Sequence, residues 1–203
     1  MNPLYFSAQF DSSASDPYFC PKSLVEVAFA GRSNAGKSSA INTITRNGKL
    51  ARTSKTPGRT QLINHFSLGD ERFLVDLPGY GYAQVSKTRQ KEWKAAMTRY
   101  LVSRQSLRGL VLVMDIRHPL TDSDWQLIEL QQKGEAGLHI LLTKADKISR
   151  NQVARSVAQV QVQLSDANIE ATLQDFSALK KQGIDDAHAV LDSWLLDVPL
   201  SGV

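Results

Sequence analysis

This 203-residue chain has little cysteine and no long apolar run. Cys20 is its only cysteine, which excludes an intramolecular disulfide. The longest apolar run, Leu110–Met114, is far shorter than the roughly 20 residues that a membrane-spanning helix needs. The N-terminal residues lack the basic and then apolar block of a signal peptide. We therefore expect a cytoplasmic protein without a membrane anchor. The four histidines have no cysteine or carboxylate at zinc-ligand spacing, so no zinc site is predicted.

What is present is ordinary for a soluble domain, except for the distribution of charge. Hydrophobic residues make up 42% of the chain and charged residues 22%, which argues against disorder. Residues 46–108 carry 13 lysines and arginines against 4 acidic residues, although the net charge of the whole chain is only +4. Such asymmetry suggests a polyanionic partner, either nucleic acid or the ribosome. A solvated helix face is the alternative reading of any single basic cluster.

Apolar strands alternate with amphipathic helices along most of the chain. This order predicts a doubly wound α/β fold, with six mostly parallel strands, one antiparallel edge strand and helices on both faces. We predict strands near 25–30, 62–68, 72–75, 110–114, 138–142 and 170–176. Helices are predicted near 37–45, 88–104, 121–133, 149–164 and 184–196; Thr121 and Asp124 have capping-box spacing at the start of the third. Residues 1–22 read as an irregular arm, with Phe6, Phe10 and Phe19 attached to a single domain spanning 23–203.

A phosphate-binding loop is the strongest motif. Residues 31–38 read Gly-Arg-Ser-Asn-Ala-Gly-Lys-Ser, the P-loop pattern, with a strand before it and a helix after it. Gly31 and Gly36 let backbone N–H groups turn toward phosphate oxygens. Lys37 would reach the β- and γ-phosphates, and the Ser38 hydroxyl would bind Mg²⁺. A chance glycine-rich turn is the alternative, and the flanking elements argue against it.

Two further motifs follow predicted strands. Asp76-Leu77-Pro78-Gly79 would hold magnesium through water and bring a backbone N–H to the γ-phosphate. Thr143-Lys144-Ala145-Asp146 resembles the base-recognition motif of GTPases, in which one carboxylate accepts both N–H donors on one edge of guanine. Either tetrapeptide alone is a polar turn after a strand. Ser177-Ala178 fits the backbone position that contacts the guanine O6, a weak signal that depends on position.

The ordered motifs resemble the EngB (YihA/YsxC) family of bacterial GTPases, within the TrmE–Era–EngA-like superfamily. The resemblance covers nearly the whole chain from Pro21 and extends to the string at 79–82, Gly-Tyr-Gly-Tyr. It implies a P-loop GTPase of the Ras-like fold that acts as a monomeric switch in assembly of the large ribosomal subunit. It also implies a requirement for normal cell division and septation.

The resemblance also implies the site residues. Magnesium would be held by Ser38 and Thr60, with Thr56 and Thr53 as competitors for the second position in a mobile first switch at 48–61. The GTP site would comprise Gly31, Arg32, Ser33, Asn34, Ala35, Gly36, Lys37, Ser38, Gly58, Arg59, Thr60, Gln61, Leu62, Asp76, Leu77, Pro78, Gly79, Thr143, Lys144, Ala145, Asp146, Phe176, Ser177 and Ala178.

The catalytic residue is the main gap in the sequence-based account. Tyr80 stands where Ras-type enzymes have the glutamine that orients water, so we expect slow intrinsic hydrolysis and stimulation by a partner. Asn34 either binds K⁺, as in related GTPases with this asparagine, or only hydrogen-bonds the loop. Tyr80 and Tyr82 are expected to be partly exposed in a second mobile loop, where they either contact ribosomal RNA or protein or pack against the neighbouring helix.

Three rival functions remain open at this stage. A P-loop kinase or ATPase would bind adenine nucleotides as well as guanine nucleotides. A nucleotide-dependent scaffold would keep the binding motifs without useful hydrolysis. A direct septation partner would need a membrane or division-protein contact, and no amphipathic anchor is visible in the sequence.

Overall fold

The computed structural model describes residues 2–51, 62–80 and 87–198, which form a layered α/β structure. The seven strands are β1 Gln9–Ala14, β2 Val25–Gly31, β3 Ile63–Gly69, β4 Arg72–Asp76, β5 Leu107–Asp115, β6 Gly137–Thr143 and β7 Thr172–Asp175. The five α-helices are α1 Lys37–Ile44, α2 Lys87–Ser103, α3 Asp122–Gln131, α4 Arg150–Asp166 and α5 Ile184–Leu195. Short 3₁₀ turns occupy Pro3–Ser7, Pro17–Phe19 and Ala145–Lys147.

All seven strands belong to one sheet, in the order β1-β3-β4-β2-β5-β6-β7. The five strands from β4 to β7 run parallel, whereas β3 is antiparallel to both β4 and β1. The carboxyl ends of the parallel strands therefore lie along one edge. The register pairs Phe29 with Asp76 and Asp115 with Thr143, which brings the ends of β2, β4, β5 and β6 side by side.

Helices cover both faces of the sheet because alternate strand residues are apolar on both sides. One core packs residues of α2, α3 and α4, including Met97, Ile128 and Leu164, against the first face. The other packs α1 and α5, including Ile41 and Leu191, against the opposite face. The predicted fold class, with helices on both faces, is confirmed.

The tryptophans predicted as packing residues do pack. The clearest case is Trp194 of α5, whose ring lies over the two strand glycines Gly109 and Gly137. A Cβ atom added at these positions would lie 2.1 Å and 2.9 Å from ring atoms. A larger residue at Gly109 or Gly137 would therefore displace the Trp194 ring, and α5 with it, from the sheet.

The sheet has one more strand than the sequence indicated, because part of the segment predicted as irregular is β1. This strand pairs with β3 and becomes the sheet edge, so the antiparallel strand β3 lies one position inside it. The N-terminal segment is anchored by Tyr5, which is fully buried and donates a hydrogen bond to Asp192 at 2.6 Å. Of the three expected anchors, Phe6 lies under the Arg46 guanidinium at 4.4 Å and Phe10 meets the buried Phe66 with ring centroids 6.4 Å apart, although both remain partly exposed. Phe19 is 71% exposed and, among the rings of the described residues, meets only Tyr18.

A buried carboxylate fixes α2 at the end of the sheet opposite the strands' carboxyl ends. Glu26 of β2 is fully buried and accepts hydrogen bonds from Tyr100 at 2.9 Å and from the Arg104 Nε at 2.7 Å. Burial, the charge of Glu26 and this hydrogen bond raise the pKa of Tyr100 far above its ordinary value, so the phenol stays a donor. Because a buried charge is costly without a partner, this group strongly specifies the position of α2.

Candidate functional site

The loop between β2 and α1 has the backbone shape that a phosphate cradle needs. Asn34 and Gly36 both have positive φ, 63° and 97°, and α1 begins immediately afterwards at Lys37. A Cβ at Gly31 would lie 2.7 Å from the Val113 carbonyl oxygen, so only glycine fits against β5. The loop thus curls closely over the sheet edge, with the N-terminus of a helix directed at the space that it encloses.

Lys37 and Asp76 form an ion pair across this space. Their side chains are 12% and 9% exposed, so the pair is largely shielded from water. It brings together the two motifs that the sequence separates by 39 residues, one from the P-loop and one from the end of β4. The site therefore places a cation and an anion where a phosphate chain and its metal would meet.

The residue that follows Gly79 is not exposed, contrary to the prediction for Tyr80. Tyr80 is only 5% exposed and donates a hydrogen bond at 2.7 Å to Asp124, at the start of α3. Its backbone carbonyl also accepts the Ser33 N–H at 3.1 Å, which ties this segment to the P-loop. Burial raises the pKa of Tyr80 well above its ordinary value. Tyr82 lies outside the described residues.

The segment at the end of β6 holds the P-loop from below. The Thr143 hydroxyl donates to the Ala35 carbonyl and lies 3.0 Å from that of Met114. The Lys144 Nζ donates to the Asn34 carbonyl oxygen at 2.6 Å, from a backbone with φ of 62°. The predicted base-recognition motif and the predicted phosphate loop are therefore in direct contact.

Asp115, at the end of β5, is a site residue that sequence reasoning missed. Its carboxylate lies 2.9 Å from the Lys144 Nζ and is also held by Arg117, whose Nε and Nη2 donate at 2.9 Å and 2.6 Å. Partial burial alone raises the pKa of Asp115, but the hydrogen bonds from Arg117 and Lys144 outweigh it and hold the pKa well below its ordinary value. The only sequence signal was an acidic residue at the end of a buried strand.

The Asp146 carboxylate is held by the side chain of Ser177, a residue for which the sequence predicted only a backbone contact with the base. The Ser177 hydroxyl donates to the Asp146 Oδ1 at 2.6 Å, and Ser177 is fully buried. This hydrogen bond lowers the pKa of Asp146 below its ordinary value. The Ala145 N–H also donates to the Phe176 carbonyl at 3.1 Å, which joins the two loops. The ionised carboxylate is thus fixed as an acceptor for N–H donors.

Part of the predicted site lies outside the described residues. This applies to Gly58, Arg59, Thr60 and Gln61, and to the competing Thr53 and Thr56; Leu62 is described and is 39% exposed. Within the described ranges, the histidines, cysteine and carboxylates form no cluster that could hold a metal ion. No helix in this part of the chain is long and apolar enough to cross a membrane.

Comparisons with known proteins place this geometry in a family. A family profile described as a 50S ribosome-binding GTPase matches residues 26–144. The probable GTP-binding protein EngB of Methylobacillus flagellatus is 49% identical over 97% of this chain and 98% of its own. The chain is a member of the EngB family of GTPases.

Other matches agree with this assignment. The probable GTP-binding protein EngB of Nitrosomonas eutropha is 48% identical, over 96% of this chain and 87% of its own length. A crystal structure of a probable GTP-binding protein EngB has a TM-score of 0.63 and 22% identity, covering 86% of this chain and all of the other. At that identity the structure supports the fold alone, and the two sequence relatives support the family. As an EngB GTPase, the chain binds and hydrolyses GTP.

The Asp115 contact leads to a testable prediction. Asp115→Asn removes the charge that anchors Lys144, so guanine nucleotide should dissociate roughly 10-fold faster, equivalent to about 1.4 kcal/mol. Stopped-flow release of a fluorescent GDP measures this rate. Arg117→Gln is the matched control, because it removes the other cation that contacts the Asp115 carboxylate and leaves both Asp115 and Lys144 in place. Equal release rates for Asp115→Asn and the parent protein, at unchanged thermal stability, would show that Asp115 does not position Lys144.

Proposed function

We propose that this GTPase is a conformational switch that binds the large ribosomal subunit or its precursor in the GTP state. The observation that carries the proposal is the contact of the P-loop with both the Asp76–Gly79 motif and the Thr143–Asp146 motif. The nucleotide's phosphates and base would thus be read by a single connected structure. The basic surplus of residues 46–108 and the 50S-binding description of the matching family support the ribosomal partner.

In the proposed complex, GTP binds along the edge formed by the strands' carboxyl ends. Backbone N–H groups of residues 31–38 and Lys37 hold the phosphates, and Lys144 lies over the base. Asp146 accepts the two guanine N–H donors, while Ser177 keeps the carboxylate in place. Adenine would leave this fixed acceptor without its donors, which is a costly mismatch. The remaining contacts are those that the family resemblance assigns to residues 58–62, 76–79 and 176–178.

Magnesium fits the oxygen donors at this site. Ser38 is the second residue of α1, next to Lys37, which pairs with the Asp76 carboxylate; hydroxyl and carboxylate oxygens suit a hard cation. In the proposal Ser38 and Thr60 hold the ion, with Asp76 acting through water. The bound ion would neutralise charge on the β- and γ-phosphates. When the ion is present, Lys37 would exchange its contact with Asp76 for one with phosphate.

Slow intrinsic hydrolysis is part of the proposal, because the Tyr80 side chain is committed elsewhere. Its hydroxyl donates to Asp124 and its ring packs against Trp93, with centroids 5.7 Å apart. Tyr80 therefore serves as a packing residue and does not orient water. Loss of the γ-phosphate would release Gly79, and Tyr80 connects that residue to α2 and α3.

Asn34 is the proposed K⁺ contact that compensates for the missing glutamine. Its side chain is exposed on the phosphate loop, while its carbonyl oxygen is already used by Lys144. We expect multiple-turnover phosphate release to be at least several-fold faster in KCl than in NaCl of equal ionic strength, and Asn34→Ala to abolish the difference. Equal rates in the two salts would contradict the K⁺ role and leave Asn34 as a loop-structuring residue.

The cellular setting follows from the ribosomal role. A monomeric, cytoplasmic switch that binds large-subunit precursors would affect division and septation indirectly, because failed ribosome assembly limits growth. This proposal needs no membrane contact.

Co-sedimentation with 50S subunits tests the ribosomal partner. The chain is mixed with subunits or their precursors in GDP, in a non-hydrolysable GTP analogue, or without nucleotide, over a salt series. We expect binding with the analogue, at least 10-fold weaker binding with GDP, and a steep loss of binding as salt rises. Absence of binding in every nucleotide state would overturn the ribosomal assignment.

A further inference from the structure

Two aromatic side chains of the N-terminal segment are almost fully exposed. Tyr18 is 89% exposed and Phe19 is 71% exposed, and their rings meet edge to face with centroids 5.9 Å apart. Neither ring is used by the nucleotide site. A pair of large rings turned to solvent on an ordered segment is a sign of a binding surface.

The backbone that carries the two rings is a fixed turn. Residues Pro17–Phe19 form one turn of 3₁₀-helix, capped by the Asp16 carboxylate, which accepts the Tyr18 N–H at 3.0 Å. The Phe19 N–H then donates to the Asp16 carbonyl at 3.0 Å. Because Pro17 fixes φ at the first position, little backbone entropy remains to be lost on binding.

Two arginines hold the turn against α2. Arg99 lies within the helix, and Arg104 directly follows its last residue. The Arg99 guanidinium is paired with the Asp16 carboxylate, the same group that caps the turn. Arg104 donates to the Pro21 carbonyl at 2.5 Å from the other end of the segment. Arg104 is itself fixed by the buried Glu26. The rings are therefore presented by the core of the domain, at a position set by α2.

The helix that carries the turn is basic. Lys91 and Lys94 are exposed, and the Arg99 side chain is 53% exposed although it pairs with Asp16. At 1.5 Å per residue, the two lysines lie about 12 Å and about 8 Å along the helix axis from Arg99. At about 100° per residue, Lys91 and Lys94 lie about 60° apart around the helix, so the two can face phosphates of one nucleic-acid strand, whereas Arg99 lies on another side of the helix and is paired with Asp16.

We propose that Tyr18 and Phe19 form a stacking platform for unpaired bases of single-stranded RNA, with the phosphates of that RNA lying along α2. Aromatic stacking is tolerant of sequence and contributes about 1–3 kcal/mol per base. This inference rests on the proposed ribosomal function and names the RNA contact that the function needs.

A protein partner fits these observations less well. The surface that two side chains can bury is far smaller than the roughly 1,200–2,000 Å² that a specific protein interface buries. Flat, exposed rings on a segment that is tied to a basic helix match the chemistry of a nucleobase and its phosphate. The position also has a functional consequence, because α2 follows the Asp76–Gly79 motif in the chain and contacts it through Trp93, whose Nε1 donates to the Pro78 carbonyl at 3.3 Å.

The test compares the parent chain with three double variants in their binding of fluorescein-labelled dodecauridylate, measured by anisotropy over a salt series. Tyr18→Ala with Phe19→Ala should weaken binding at least 10-fold and leave the slope of log affinity against log salt unchanged, because no phosphate contact is lost. Lys91→Gln with Lys94→Gln should reduce that slope by about one to two instead. The aromatic-retaining variant Tyr18→Phe with Phe19→Tyr should bind like the parent chain.

Crosslinking and a second exposed ring complete the design. Ultraviolet crosslinking of the bound oligonucleotide should place uridine adducts on Tyr18 or Phe19. Phe10→Ala is the matched control, because Phe10 is another exposed ring, 59% exposed, and lies on β1. This variant should bind RNA like the parent chain. Failure of the parent chain to bind the oligonucleotide would overturn the proposal, as would equal affinity of the double alanine variant.

Co-sedimentation with 50S subunits separates this proposal from the function on which it rests. If the parent chain fails to sediment with subunits in the GTP analogue, the ribosomal function fails. If the parent sediments and the double alanine variant sediments equally, only the aromatic platform fails. If the variant loses subunits but keeps its affinity for the oligonucleotide, the rings dock on protein and the RNA assignment is overturned.

Discussion

The hydrogen bonds from the end of β6 to the P-loop are the interaction on which the rest of the site depends. Thr143 and Lys144 donate to two consecutive carbonyls of the loop, those of Ala35 and Asn34. Positive φ at Asn34 is costly for a residue with a Cβ atom, and these donors hold the loop in that shape. The same two contacts join the predicted base-recognition segment to the predicted phosphate-binding segment, so base and phosphates would be bound by one connected unit.

Around these hydrogen bonds, each predicted site side chain is positioned by another residue. Asp115 holds Lys144, and Ser177 holds Asp146. The ion pair of Lys37 with Asp76 links the P-loop to β4. Such an arrangement lowers the reorganisation needed when nucleotide binds, because the charged groups are already oriented. In the proposed switch, this arrangement would keep base selectivity independent of any change at the γ-phosphate.

The C-terminal end of α2 is fixed to the sheet. Glu26, Tyr100 and Arg104 fix that end of α2 to the sheet, whereas the helix begins shortly after Asp76–Gly79, the predicted γ-phosphate contact. The N-terminal segment is tied to the same end of the helix through Arg104 and, closer to the middle, through Arg99. A change at Gly79 would therefore reach the aromatic turn through a helix that is anchored at one end, which gives nucleotide state a route to a distant surface.

The sequence predicted the parallel core and the motifs well, because both are local patterns. Apolar runs such as Leu110–Met114 and the P-loop spacing need no distant partner to be recognised. The strand β1 was missed because its residues are polar and mostly exposed, and its only pairing is with β3, about 50 residues away.

The errors at individual side chains have the same origin. Tyr80 was expected to be exposed because it follows a glycine-rich motif, but its partner Asp124 is 44 residues further on. Asp115 and the Ser177 hydroxyl act through contacts across neighbouring loops, which spacing alone does not reveal. Thr60 and the rest of the first switch stay predictions, since they lie outside the described residues.

The central claim is that Asp146, fixed by Ser177, selects guanine at a site shared with the P-loop. Nucleotide affinities of the parent chain and of Asp146→Asn, measured for GTP, ATP and xanthosine triphosphate, test it most directly. An amide in place of the carboxylate cannot accept both guanine donors, but it can donate to the 2-oxo group of xanthine. We expect GTP affinity to fall at least 100-fold, about 2.7 kcal/mol, and affinity for xanthosine triphosphate to rise. Equal binding of ATP and GTP by the parent chain, or unchanged GTP affinity in the variant, would contradict the account.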